Sequence, residues 1–306
     1  MQLYLPIAEM SVNVLLILGM GGLVGFLSGL FGVGGGFLMT PLLIFVGVPP
    51  TVAVGTQANQ LVGASVSGVL ANLKRGGVDF KMGGVLVAGG LVGSVIGVWL
   101  FSVAKQFGQI DFVISVTYVV MLGSVGALML NESLRAILKR RKDNSAQGKL
   151  HQHTWLHGLP LKMRFPKSRL YISALAPLGL GLMAGILVAI MGVGGGFFMV
   201  PAMIYVLGMP TSAVPGTSLF QIIFVTAATT LLHAVATQTV DVMLALLLLI
   251  GGVVGAQFGG RIGGRLRGEQ MRFALAVIVL LVCLKLFADL IITPDDLYSL
   301  SLPGAK

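Results

Sequence analysis

The stretch Gly32–Val54 reads GVGGGFLMTPLLIFVGVPPTVAV, and at an offset of 160 the stretch Gly192–Val214 reads GVGGGFFMVPAMIYVLGMPTSAV. The two stretches are identical at 14 of 23 positions. Each begins with a glycine cluster and continues with an apolar segment that contains a proline, Pro41 or Pro201. Self-similarity at a fixed offset indicates a duplicated structural unit.

The duplication extends beyond these stretches. One inserted residue, Pro215, aligns Gly55-Thr56 with Gly216-Thr217, and a second inserted residue aligns Val78-Asp79 with Val240-Asp241. A glycine-rich segment follows in each copy, Gly89–Gly97 and then Gly251–Gly259. We therefore divide the chain into a first repeat (1–131), a linker (132–170) and a second repeat (171–306).

The composition indicates a polytopic membrane protein. Of the 306 residues, 56% are hydrophobic and a further 44 are glycine, whereas 10% are charged, against about 25% charged in an ordinary soluble domain. No charged residue occurs in Met10–Leu73 or in Leu170–Val240. These figures exclude a soluble globule, a disordered chain and a collagen repeat, and the single Cys283 excludes a disulfide scaffold.

The apolar runs predict an all-α fold of ten helical segments, with residues before the first segment belonging to the first span. The second segment of each set has only 12 or 13 residues, which is too short to cross a core of about 30 Å. It is expected to be a broken or half-depth helix. The predicted segments are 11–31, 36–47, 52–73, 82–104 and 112–131, then 171–191, 196–208, 213–236, 242–261 and 270–292.

The distribution of basic residues predicts the orientation in the cell inner (plasma) membrane. The linker holds ten of the twenty Lys and Arg residues, so it is expected in the cytoplasm. Basic residues follow the third segment of the first repeat (Lys74, Arg75) but the fourth segment of the second (Arg265, Arg267). This alternation predicts two inverted repeats of five crossings each. The alternative is that each repeat crosses the membrane four times and that its short segment is re-entrant.

Inverted repeats with broken helices are typical of secondary transporters, in which the site lies where the broken helices meet. Glycine backbones approach a ligand closely, and the positive end of a half-helix favours an anion. The alternative is that the glycines only allow close helix packing. The candidate substrate-binding glycines are Gly32, Gly34, Gly35, Gly36, Gly192, Gly194, Gly195 and Gly196.

The third segment of each repeat carries uncharged polar residues. Polar groups in lipid need partners, so these residues bind either substrate or a neighbouring helix. Near the ends of the same segments, Asn72 and His233 are expected at the membrane interface. The candidate substrate-binding side chains are Thr56, Gln57, Gln60, Thr217, Ser218 and Gln221.

Other chemistry has little support in the sequence. Asp79 and Asp241 fall at segment starts, so no acid occupies the place of a proton relay or cation site. There is no catalytic set of nucleophile, base and acid, and we predict no cofactor and no metal. The histidines of His151–His157 are expected in a solvated loop. The basic linker is expected to lie against anionic lipid and requires no nucleic-acid partner.

The paired GVGGG-F-x-x-x-P elements, the Gly-Thr pairs and the following Val-Asp pairs resemble the TauE/SafE sulfite-exporter family over nearly the whole chain outside the linker. The resemblance implies an integral membrane transporter for small sulfur-containing or related organic anions. The family motif corresponds to Gly32–Gly36, Gly55-Thr56, Gly192–Gly196 and Gly216–Ser218. Gln57 departs from it, because the family usually has serine there, as at Ser218.

We therefore expect a transporter that exports a small anionic substrate of the sulfite or sulfonate class without a coupling cation. The alternatives are proton-coupled uptake of another small solute, with an aspartate or histidine as the proton carrier, and an anion channel. The sequence leaves the oligomeric state and the particular anion open.

Overall fold

The computed structural model describes residues 2–31, 36–74, 76–140, 161–168, 170–263 and 268–291. These residues form ten helices and two β-hairpins. Every predicted helical segment coincides with one helix, so the predicted polytopic helical fold is confirmed. The helices are α1 (Val14–Phe31), α2 (Gly36–Phe45), α3 (Pro50–Lys74), α4 (Phe80–Gln106), α5 (Ile110–Arg140), α6 (Leu175–Met191), α7 (Gly196–Tyr205), α8 (Val214–Ala236), α9 (Val242–Gly263) and α10 (Gly268–Ile291).

The hairpins correct the sequence interpretation. Strands β1 (Gln2–Leu5) and β2 (Met10–Asn13) pair antiparallel in the region assigned to the first span. Strands β3 (Lys162–Phe165) and β4 (Leu170–Ser173) pair in the same way at the end of the predicted linker. In each hairpin alternate apolar residues are buried, because successive side chains of a strand point to opposite faces.

Within the part of the chain that the structure describes, five helices are long and apolar enough to cross a membrane: α4, α8 and the apolar parts of α5, α9 and α10. Helices α2 and α7 have ten residues each, which corresponds to about 15 Å, half of the hydrocarbon core. The prediction of two short helices is confirmed. Helix α5 continues to Arg140, inside the predicted linker. The histidine tract lies outside the described residues.

Glycines bring helices of different repeats into backbone contact. A Cβ added at Gly93 of α4 would lie 2.1 Å from the Leu182 carbonyl oxygen of α6. In the equivalent pair, a Cβ at Gly255 of α9 would lie 2.0 Å from the Gly22 oxygen of α1. Both distances are impossible for a real side chain, so these glycines allow the close packing of the helices. Each repeat therefore packs its first long helix on the fourth helix of the other repeat.

One buried aspartate stands at the start of the fourth helix in each repeat. Asp79 Oδ1 accepts hydrogen bonds from the Lys81 and Met82 amides, and so forms the N-cap of α4. Asp241 Oδ1 accepts from the Leu244 amide at the start of α9. Such capping satisfies amide groups that the helix itself leaves unpaired.

The second oxygen of each aspartate holds the tip of a hairpin from the other repeat. Asp79 Oδ2 accepts from the Ser168 amide at 3.0 Å and from its hydroxyl at 2.6 Å. Asp241 Oδ2 accepts from the Ile7 amide at 3.2 Å. The repeats are thus joined reciprocally, and their inverted orientation across the membrane stays a prediction.

A first experiment tests that orientation at the equivalent α3–α4 and α8–α9 loops. Gly76 and Gln238 are exposed and share a left-handed backbone, with φ of 67° and 50°. We expect Gly76→Cys to react with an impermeant thiol reagent only from the cytoplasmic side and Gln238→Cys only from the periplasmic side. Both variants carry Cys283→Ser, and the parent with this substitution alone gives the background. Labelling of both loops from one side would disprove the inverted arrangement.

Candidate functional site

The second glycine cluster interrupts the chain between α6 and α7. Gly192 ends α6, and Gly192, Gly194 and Gly195 have φ values of 70°, 71° and 74°. Side chains other than glycine rarely adopt this left-handed backbone. Gly196 is the buried first residue of α7. In the first repeat Gly32, Gly34 and Gly35 lie outside the described residues, and α2 begins at Gly36.

Side chains from three other helices approach the carbonyl end of α6. The Tyr118 hydroxyl donates to the Met191 carbonyl at 2.5 Å, and the Thr40 hydroxyl oxygen, whose hydrogen is donated to Gln57, lies 3.3 Å from the same oxygen. His233 Nε2 lies 2.9 Å from the Ala189 carbonyl, so this nitrogen carries the proton, because a carbonyl only accepts. His233 is fully buried in the protein, and its position at the depth of the membrane interface stays a prediction.

The amide end of α7 differs, because its N-cap residue Gly195 has no side chain to bond the first amides. Unpaired amides at a helix start carry partial positive charge and bind anions. The structure therefore presents a satisfied carbonyl end of α6 and an uncapped amide end of α7 at one interruption.

The two short helices meet at their first turns. The rings of Phe37 in α2 and Phe197 in α7 stack with centroids 4.6 Å apart and planes at 21°. Both rings are buried. A Cβ at Gly36 would lie 2.8 Å from the Val193 carbonyl oxygen. The starts of both half-helices are thus brought together, as the transporter interpretation requires.

Gln57 fastens α3 to the start of α2. Its Nε2 donates to the Gly36 carbonyl, and its Oε1 accepts from the Thr40 hydroxyl. Gln57 and Thr40 are both fully buried. The carboxamide of this predicted site residue is therefore already used in bonds within the protein.

Thr56 and Thr217 lie at the junctions between repeats. The Thr56 hydroxyl accepts from the Asp241 amide at 2.9 Å, and the Thr217 hydroxyl accepts from the Asp79 amide at 3.0 Å. Thr217 also donates to the Ala213 carbonyl of its own helix. Both hydroxyls thus support the aspartates that hold the hairpins.

Gln60 and Gln221 occupy equivalent positions against the fourth helix of the other repeat. A Cβ at Gly252 of α9 would lie 2.3 Å from Gln60 Nε2, and a Cβ at Gly90 of α4 would lie 3.4 Å from Gln221 Nε2. At Gly252 only a glycine leaves room for the Gln60 carboxamide, whereas the atom that excludes a Cβ at Gly90 is Val225 Cγ2, at 2.4 Å. Both side chains are buried, with exposed fractions of 6% and 1%.

Two polar atoms of α8 have no hydrogen-bond partner among the described residues. They are Ser218 Oγ and Gln221 Oε1, in side chains that are 2% and 1% exposed. Buried polar atoms are nearly always bonded. An unpaired pair on a single helix therefore singles out this part of α8 within the candidate site.

Sequence reasoning missed Thr40 and Tyr118, which contact the helix break from α2 and α5. A hydroxyl within the charge-free first repeat was the only signal for Thr40. Tyr118 lies in an apolar segment without a motif, so its role follows only from the packing of α5 beside the end of α6.

Broken half-helices, buried polar residues at their junction and apolar spans define a multi-pass membrane transporter. The model of the family described as sulfite exporter TauE/SafE matches residues 17–286, and the chain belongs to this family.

Curated relatives carry the same general description. The chain is 30% identical to the probable membrane transporter protein YjnA of Bacillus subtilis (strain 168) over 90% of this chain and 100% of that protein. It is 30% identical to YunE of the same organism, also named a probable membrane transporter protein, over 72% and 77% of the two chains. A probable membrane transporter protein of Xylella fastidiosa (strain 9a5c) is 29% identical over 80% and 83%. No solved structure matches the chain significantly.

The Gln57–Thr40 contact leads to a prediction about the unfolding free energy of the protein. Gln57→Leu leaves the Gly36 carbonyl without this donor, so we expect a loss of about 1–3 kcal/mol in unfolding free energy. Thr40→Val should lower stability as well, and the double variant should lose less than the sum of both losses. Thermal denaturation of the purified protein in detergent gives the comparison.

Thr229→Val is the matched control, because the buried Thr229 hydroxyl bonds only the Val225 carbonyl of its own helix in this structure. We expect it to change stability less than either variant. Additive losses for Gln57→Leu and Thr40→Val would show that the two side chains are not coupled.

Proposed function

We propose that this transporter exports small sulfur-containing oxyanions of the sulfite or sulfonate class from the cytoplasm. It would lie in the inner (plasma) membrane with its basic linker on the cytoplasmic side. The observation that carries the proposal is the pair of buried, unpaired polar atoms on α8, the helix that the glycine loop before the uncapped α7 contacts at Ile222. Amides at a helix start and a serine hydroxyl are donors suited to an oxyanion.

The buried carboxylates among the described residues support transport without a coupling cation. Asp79 and Asp241 are 2% and 0% exposed, and both oxygens of each accept bonds from helix starts and hairpin tips. They serve as caps and fasteners between repeats. A proton or sodium carrier would need a carboxylate that is free to change partners during the cycle.

The membrane potential is sufficient to drive such export. Moving one charge through 100 mV is worth about 2.3 kcal/mol. This energy supports roughly a fiftyfold outward gradient of a monoanion when the cell interior is negative. An anion facilitator without a coupling site therefore acts as an exporter.

A flux experiment tests this energetics in proteoliposomes with the purified protein. We expect uptake or release of labelled sulfite to follow the sign and size of a potassium–valinomycin potential at equal pH. Flux that ignores voltage but follows an imposed pH gradient would refute the proposal in favour of proton-coupled transport. Flux that rises linearly with concentration without saturation would indicate a channel.

The glycine cluster gives a second test. Gly194→Val should abolish sulfite flux while the protein still inserts, because it adds a branched side chain beside the start of α7. Gly208→Val is the control for backbone strain, since Gly208 has φ of 69° against 71° for Gly194, but open space around its Cβ position. If Gly194→Val and Gly208→Val transported sulfite at the same rate, the glycine cluster would have only a packing role.

A further inference from the structure

We infer that the second repeat alone holds the substrate, between Ser218 and Gln221, and that this substrate is a monoanion which keeps an O–H or N–H donor beside its sulfite or sulfonate group. The inference rests on the proposed function and names the substrate class of the same site. It depends on a difference between two halves that the sequence duplication makes equivalent.

The half-site of the first repeat is closed by its own side chains. Gln57 reaches from α3 to the Gly36 carbonyl at the start of α2 and also bonds the Thr40 hydroxyl. The carboxamide thus occupies the place beside the half-helix where a small planar ligand would bind. A substrate could enter there only by breaking both bonds.

The half-site of the second repeat lacks this closure. Ser218 stands at the position of Gln57, and Val200 stands at the position of Thr40. The serine side chain is too short to reproduce the bonds of a carboxamide, and the valine offers no hydroxyl. Ser218 Oγ is accordingly buried without a partner among the described residues.

The geometry of α8 directs these atoms to one place. Ser218, Gln221 and Ile222 are spaced by three and four residues, so they share one helix face. A Cβ at Gly194 would lie 3.4 Å from Ile222 Cγ2, which places the glycine loop against this face. The uncapped start of α7 follows directly at Gly195. The two unpaired polar side chains and the glycine loop before α7 therefore lie along the same face of α8.

The polarity of the unpaired atoms defines the ligand. The Ser218 hydroxyl and the α7 amides donate hydrogen bonds and suit the oxygens of an anion. Gln221 Oε1 only accepts, so its partner must be a donor. A fully deprotonated oxyanion offers acceptors alone and would leave this oxygen unpaired. Hydrogensulfite with its O–H, or a sulfonate with a nearby hydroxyl or ammonium group, satisfies both kinds of atom.

A matched pair of compounds tests the inference by binding to the purified protein in detergent. The compound 2-hydroxyethanesulfonate carries a hydroxyl where propane-1-sulfonate carries a methyl group. We expect the hydroxyl compound to bind about tenfold more tightly, because only it pairs the Gln221 oxygen. Gln221→Leu should remove this preference. Thr226→Val should retain it, because the buried Thr226 hydroxyl bonds the Ile222 carbonyl of its own helix.

Ser218→Ala separates a binding role from a structural one. Removing an unpaired buried hydroxyl should raise the melting temperature of the ligand-free protein, while affinity for both sulfonates falls about tenfold. An unchanged affinity, or a tenfold preference that survives in Gln221→Leu, would overturn the inference.

The outcomes also distinguish this inference from the proposed function. Equal binding of the two sulfonates by the parent protein overturns the inference, while voltage-driven sulfite flux still supports export. Binding of neither compound, together with absence of voltage-driven sulfite flux, overturns both.

Discussion

A helix that breaks inside a membrane must find partners for the backbone groups it frees, because lipid supplies none. The end of α6 meets this constraint with Tyr118, Thr40 and His233, which approach the last carbonyls from α5, α2 and α8. Three elements are thereby fixed around one interruption. The amide end of α7 receives no side-chain cap. The difference between the two ends leaves positive potential at the break, and this potential suits an anionic ligand.

The second organising feature is the exchange of contacts between repeats. Asp79 caps α4 and binds the second hairpin, whereas Asp241 caps α9 and binds the first. The Thr217 and Thr56 hydroxyls complete these junctions at the aspartate amides. Each aspartate caps a helix of its own repeat, but its amide and its second oxygen are bonded from outside that repeat. The stability of each half therefore depends on the other, and buried carboxylates serve structure where cation carriers use them for coupling.

The two half-sites differ chemically, although the sequence duplication makes them equivalent. Gln57 and Thr40 close the first half-site with bonds inside the protein, while Ser218 and Val200 leave the second with unpaired atoms. Buried polar groups are nearly always bonded, so the two unpaired atoms set the second half-site apart from the first. Gln57, where the resemblance would place a serine, produces this asymmetry together with Thr40.

The sequence by itself determined the class of protein, the duplication and the positions of all ten helices. Charge-free runs fix spans because a charge in lipid is costly, and glycine clusters before short segments mark helix breaks. Residues 2–13 were misassigned because a short hairpin in an apolar context has no distinct signal, although Pro6 and Pro166 share the repeat offset of 160. Only the tertiary structure decided which of the polar residues are already paired within the protein. From the sequence, Gln57 and Ser218 are both predicted to be buried polar residues on equivalent helices. Whether each has a hydrogen-bond partner depends on side chains of other helices, whose positions the sequence does not give.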